Sequence, residues 1–139
     1  VVSEDILLAM LRMQLNDSRH SGNTHIAQFT PEFVFDLMEK EDRVKLYELK
    51  INLASQRYKV FKKSCACAYC GVVGRIMCLD VKRTRRSNGH FNLYGIKPSG
   101  QVVMLTKDHI IPKSSGGLNI IDNYQTLCEP CNINKGGFQ

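Results

Sequence analysis

At 139 residues, with 43% apolar and 23% charged side chains, the chain has the make-up of one soluble globular domain with a modest core. It holds no apolar run of bilayer-spanning length and no secretory pattern, which leaves a membrane or secreted reading without support; the first residue is not Met, which suggests a processed or trimmed N-terminus. The net charge of +6 and a pI of about 9.1 have the sign expected of a protein that approaches phosphates.

The first part of the chain reads as helical. Ser3 is placed to cap a helix with apolar positions Ile6, Leu7, Met10, Leu11 and Leu15. Residues 16–29 are polar and rich in Gly, Asn and Ser, and read as a loop. Thr30-Pro31 predicts a helix start: a hydroxyl cap, then proline at the first helical position, where its missing N–H costs nothing. That helix carries Phe33, Val34, Leu37 and Met38. From Asp42 a longer helix is predicted, because Tyr47, Ile51, Ala54, Tyr58 and Phe61 recur at helical spacing and Leu46, Leu49, Leu53 and Val60 widen the stripe. These stripes either pack on one another or form an arm for a partner or a second copy. Residues 1–62 are therefore expected to be a helical extension, and 63–139 the domain proper.

After Lys62-Lys63-Ser64 the chain turns to β-branched residues, glycines and turns. Val72, Val73, Ile76, Cys78 and Leu79 suggest a short strand pair. Lys82, Arg83, Arg85 and Arg86 fall within five residues and precede Ser87-Asn88-Gly89; this is an exposed basic loop, either a solvated turn or a phosphate contact. Phe91–Ile96 and Gln101–Thr106 flank Lys97-Pro98-Ser99-Gly100 and predict a β-hairpin. Its second strand delivers Asp108 and His109.

Four of the six cysteines form two Cys-x-x-Cys pairs, Cys67/Cys70 and Cys128/Cys131. Two residues between ligands let both sulfurs of a pair reach one tetrahedral ion, and four thiolates close its shell, so the expected group is a structural zinc. Cys65 is a rival for Cys67, disfavoured because Cys-x-x-Cys-Gly gives the usual turn. Cys78 lies in an apolar run and reads as core.

The order Asp108-His109, Gly116-Gly117, Asn123, then Cys128-x-x-Cys131-Asn132 with Lys135 and Gly136 resembles the HNH endonuclease family. The resemblance covers residues 67–136, about half the chain. It does not cover the N-terminal half; joined to the helical reading of that half it gives an α+β protein whose second half is a zinc-stapled ββα-metal nuclease, and it implies cleavage to 5′-phosphate and 3′-hydroxyl ends. It further implies that Asn123 does not ligate metal but holds the loop and orients the His109 ring, and it points to a cytoplasmic bacterial or phage setting.

The residue chemistry agrees. An unperturbed imidazole has its pKa near neutrality, so a histidine at position 109 is the residue type that can take a proton from water. Asp108 and Asn132 offer hard oxygens that suit magnesium or manganese better than a soft metal. Asn134 is the rival of Asn132; on a helix the two cannot face the same ion. Adjacent residues of a regular strand face opposite ways, so bringing Asp108 and His109 to one site requires a break in the pleat. Lys82, Arg83, Arg85, Arg86, Lys113 and Lys135 are the expected contacts to DNA, with RNA also open. His20, His25 and His90 read as solvated, His90 within reach of a phosphate. The competing readings are a non-catalytic zinc-ribbon nucleic-acid-binding module, and an accessory module of a larger nuclease or packaging complex that dimerises or docks through its N-terminal helices.

Overall fold

The computed structural model describes residues 2–17 and 22–136. Its elements are α1 (Glu4–Asp17), β1 (Asn23–Phe29), α2 (Pro31–Lys40), β2 (Arg43–Leu46), β3 (Leu49–Asn52), α3 (Gln56–Lys63), β4 (Ile76–Lys82), β5 (Gly89–Ile96), β6 (Val102–His109), β7 (Tyr124–Cys128) and α4 (Glu129–Gly136). Five strands form an antiparallel sheet in the order β1-β4-β5-β6-β7, and β2–β3 is a separate hairpin.

Both predicted caps form: Ile6 N donates to Ser3 Oγ at 3.3 Å and Phe33 N to Thr30 Oγ1 at 3.2 Å. Leu11 and Leu15 of α1 pack on one face of the sheet against Ile76, Cys78, Tyr94 and Ile96. The other face is covered by Val34, Leu49, Ile51, Tyr58 and Phe61, which meet Met77, Leu79, Phe91 and Leu93. Most of these apolar positions are core, packed on the two faces of the sheet, while Ile6, Phe33 and Tyr47 are exposed.

The N-terminal half is mixed rather than helical. Part of the stretch expected to be loop forms β1, an edge strand paired with β4; an edge tolerates the polar residues that masked it. The long helix expected from Asp42 is instead the β2–β3 hairpin followed by the eight-residue α3. Val44 and Leu46, then Leu49 and Ile51, share the inward face once a two-residue turn is inserted. That turn is Tyr47-Glu48, with φ of 51° and 61°. Turns of this kind normally use Asn-Gly, and without glycine nothing local announced it. Downstream, Val73 makes only an isolated bridge to Ala66, and the strand proper begins at Ile76. The Lys97–Gly100 turn forms as predicted, with Gly100 N donating to Lys97 O at 2.8 Å.

His25 is not solvated. Its side chain is 4% exposed and its Nδ1 lies 2.6 Å from Oδ1 of Asp80, which is wholly buried. Asn92 Nδ2 and Tyr94 Oη donate to the other carboxylate oxygen at 2.8 and 2.5 Å. Burial and the nearby Asp80 push the Tyr94 phenol pKa up. This buried polar node joins β1, β4 and β5. His20 lies outside the described residues.

The sheet also splits. β5 and β6 pair only through Tyr94–Ile96 and Val102–Met104. Beyond that, α3 serves the β5 backbone: Phe91 N donates to Tyr58 Oη at 3.0 Å, and Arg57 Nη1 donates to Phe91 O at 2.9 Å. Groups released from the ladder are therefore satisfied by side chains. β6 meanwhile pairs with β7 from Leu105 to His109. Because β5 and β6 are antiparallel, Gly89 and His109 lie at the same end of the sheet.

Candidate functional site

The two Cys-x-x-Cys pairs come together although the whole of β4 to β7 separates them in sequence. The first sits on a turn closed by Gly71, whose φ is +81° and whose N–H donates to Cys67 O at 2.9 Å. The second spans the end of β7 and the first turn of α4. Ala68 N donates to Thr126 O at 2.8 Å and ties the two turns. All four Sγ atoms lie within 4.8 Å of one another, with Cys70 and Cys128 at 3.7 Å. Sulfurs at the corners of a tetrahedron with ~2.3 Å metal bonds stand about 3.8 Å apart, so the cluster fits such an ion. Burial opposes charge on Cys67, but the N–H groups of Cys70, Cys128 and Tyr69 outweigh it and bring its pKa down to about 6. Cys65 stays out, its Sγ against Phe61 O at 3.3 Å. Cys78 is core; burial and then Asp80 push its thiol up to about 12.

The second centre lies at the His109 end of β6. Asp108 is 8% exposed. Its Oδ2 accepts from Lys135 Nζ at 2.6 Å and from Gln125 Nε2 at 3.0 Å. Lys135 Nζ also donates to the His109 carbonyl at 2.5 Å. A carboxylate and a backbone carbonyl thus already share one cation. Asn132, one turn before Lys135 on α4, donates from Nδ2 to Thr106 Oγ1 at 2.9 Å, two residues before Asp108 on the same face of β6. Asn134 is exposed. The oxygen donors of Asp108, Asn132 and the His109 carbonyl suit a hard divalent ion.

The pleat does not break at Asp108. The β6–β7 register continues through Asp108↔Gln125 and His109↔Tyr124, so the two side chains leave opposite faces. The His109 ring packs edge-on against Tyr124 at 4.9 Å between centroids, and its Nε2 lies 2.8 Å from Asn119 Oδ1. Asn119 carried no signal in the sequence, because only loop closure brings it back to the strand. Asn123 instead holds the loop. It accepts from Ile111 N at 2.9 Å and donates to Ile111 O and Leu118 O at 3.1 and 2.9 Å. The glycine pair is explained at Gly117, where a Cβ would stand 1.7 Å from Ile111 O.

Among the expected DNA contacts, Lys82, Arg83, Arg85 and Arg86 are exposed between β4 and β5, and Lys113 is exposed on the loop after β6. Lys135 is engaged at Asp108. His90 is half-buried, and burial followed by the charges of Arg57, Lys82 and Arg85 lowers its pKa.

No curated relative and no solved structure matches the chain. Residues 97–138 match the family model described as HNH endonuclease; this stretch runs from the β5–β6 turn through the glycine loop to α4 and holds Asp108, His109, Asn123 and the second cysteine pair. On that segment the resemblance borne by the motifs is met: residues 97–138 are similar to the HNH endonuclease family.

Proposed function

We propose that this protein is a zinc-stapled, divalent-metal-dependent endonuclease that hydrolyses DNA phosphodiester bonds at the His109 end of β6. The observation that carries the reading is the cation held between Asp108 Oδ2 and the His109 carbonyl at the end of β6, with the His109 ring, fixed by Asn119, on the strand's other face, so that the phosphate must span the strand end. Magnesium or manganese on Asp108 and Asn132 would supply the positive charge that spreads the phosphate's developing charge and stabilises the leaving oxygen.

The chain's own groups do the rest. With Nε2–H donating to Asn119 Oδ1, the neutral His109 ring keeps its lone pair on Nδ1, the atom that takes a proton from water. Tyr124 limits the ring's swing. Asn123 fixes the loop from which Asn119 projects. Cys67, Cys70, Cys128 and Cys131 hold zinc at the root of β7 and α4, and so set α4, with Asn132 and Lys135, against β6. The exposed basic loop and Lys113 meet backbone phosphates; RNA would present the same group. One site cuts one strand, so a double-strand break needs two nicks or two copies.

Incubation of supercoiled plasmid with the purified protein in magnesium, manganese, zinc or EDTA tests the reading. Nicked circles in magnesium or manganese and none in EDTA are expected. Nucleic-acid binding that is equal with and without magnesium, with no cleavage in any metal, would make the protein a binding module instead.

A further inference from the structure

The β2–β3 hairpin places charge where the sheet gives it no local reason to be. Lys45 and Lys50 stand directly opposite one another, and Arg43 lies on the same outer face. Like charges directly opposed across strands destabilise a hairpin. The hairpin is also fastened to the basic loop: Lys50 N donates to Ser87 O at 2.9 Å, and Lys50 bridges to Asn88 as a parallel strand would. Between them runs an open groove lined by Arg43, Lys45, Lys50, Arg85, Asn88 and His90, with no acidic residue in its walls. Among the described residues the one ion pair of these side chains is Lys45 with Glu48 at 3.3 Å, and both partners are largely exposed. Such a pair contributes little and opens easily.

We infer that this groove is a second nucleic-acid contact, which takes the sugar-phosphate backbone through Arg43, Lys45, Lys50 and Arg85. The inference rests on the nuclease reading and deepens it by adding a substrate path outside the segment that matches the family. The topology supplies the direction. Gly89 and His90 open β5 and His109 closes β6, and these termini share one end of the sheet, with the start of α3 bonded to the β5 backbone where the two strands part. A strand cut at His109 thus extends past α3 into the groove. The residues reach from a hairpin face and a turn, so they meet phosphate and leave base edges unread.

The test is binding in EDTA, where no cleavage is required. A fluorescein-labelled duplex of arbitrary sequence is titrated by anisotropy over a salt series, with wild type, the triple variant Arg43→Gln/Lys45→Gln/Lys50→Gln, and Glu48→Gln. The triple variant should bind about tenfold or more weakly at low salt, and its salt slope should fall by roughly two to three units, near 0.9 per lost phosphate contact. Glu48→Gln, which frees Lys45, should bind more tightly. Losses of similar size on a second duplex and on single-stranded DNA support the backbone as ligand. Unchanged affinity and slope in the triple variant, with its circular dichroism intact, or a loss that depends on base sequence, would overturn the inference. A protein that never cleaves but shows the groove effect would sink the nuclease reading alone; one that cleaves and lacks the effect would sink the groove alone.

Discussion

Lys135 Nζ lies 2.6 Å from Asp108 Oδ2 with both side chains about nine-tenths buried, and the same ammonium reaches the His109 carbonyl. The chain thus carries its own cation where the proposed mechanism needs a metal. A divalent ion arriving at Asp108 must displace that ammonium, which is then released toward phosphate. Replacing Lys135 by Met should tighten manganese binding without DNA by about tenfold or more, since 1.4 kcal/mol corresponds to tenfold. Removing one partner of a buried pair is costly, on the order of 3 kcal/mol, so the metal-free variant should melt earlier and manganese should restore it. Calorimetric titration and melting with and without manganese measure both. Equal manganese affinity in wild type and variant would mean that the ion does not bind at Asp108.

His109→Ala should lower plasmid cleavage about 10²–10⁴-fold, the usual contribution of a general base, while the melting temperature and DNA affinity stay near wild type. Asn119→Ala should cost less, because it frees the ring without removing it, and its pH–rate profile should be broadened or displaced as both ring nitrogens become available. A His109→Ala protein that retains a tenth of the wild-type rate would remove His109 from the base role.

Cys128→Ser or Cys131→Ser should unfold the α4 end of the molecule, because a thiolate site in a small domain is part of its folding free energy. Metal analysis of the wild type should give about one zinc per chain. Absence of zinc, together with a melting temperature unchanged by chelator, would reject the assignment.

Much of this candidate site was legible because its signals are local in sequence: Cys-x-x-Cys spacing, Gly-Gly, and an Asn directly after the second Cys-x-x-Cys. The hairpin that delivers His109 was marked by Pro98 and Gly100. What stayed hidden depends on closure in space. Asn119 meets His109 only after the loop folds back, and Gln125 meets Asp108 only through strand register. The β2–β3 hairpin was hidden for another reason. Tyr47 and Glu48 adopt left-handed φ without glycine, and their neighbours repeat at a spacing that also fits a helix.

Asn123→Ala removes three hydrogen bonds from a side chain that is 8% exposed. Each buried group left unpaired costs about 1–3 kcal/mol, so the variant should lose stability and cleavage together. Asn123→Asp keeps the acceptor for Ile111 N and loses the donors to Ile111 O and Leu118 O, so it should fall between. A variant at wild-type stability would mean that water replaces the amide, and the loop would then have to be held by Gly117 and its neighbours.

The two asparagines of α4 separate the proposed ligand from its rival. Asn132 is half-buried against Thr106, and Asn134 is exposed, more than half a turn away around the helix. Asn134→Ala should leave cleavage close to wild type. Asn132→Ala should reduce it in every metal. Asn132→Asp adds charge beside Asp108 and should strengthen metal binding in the absence of DNA. Asn132→His should keep part of the activity and shift preference toward manganese, cobalt or nickel, which accept imidazole more readily than magnesium does. Cleavage rates for the four variants over those metals check the set. If Asn134→Ala abolishes cleavage and Asn132→Ala does not, the third ligand lies on the outer face of α4, and the contact between Asn132 and Thr106 serves only to pack the helix on β6.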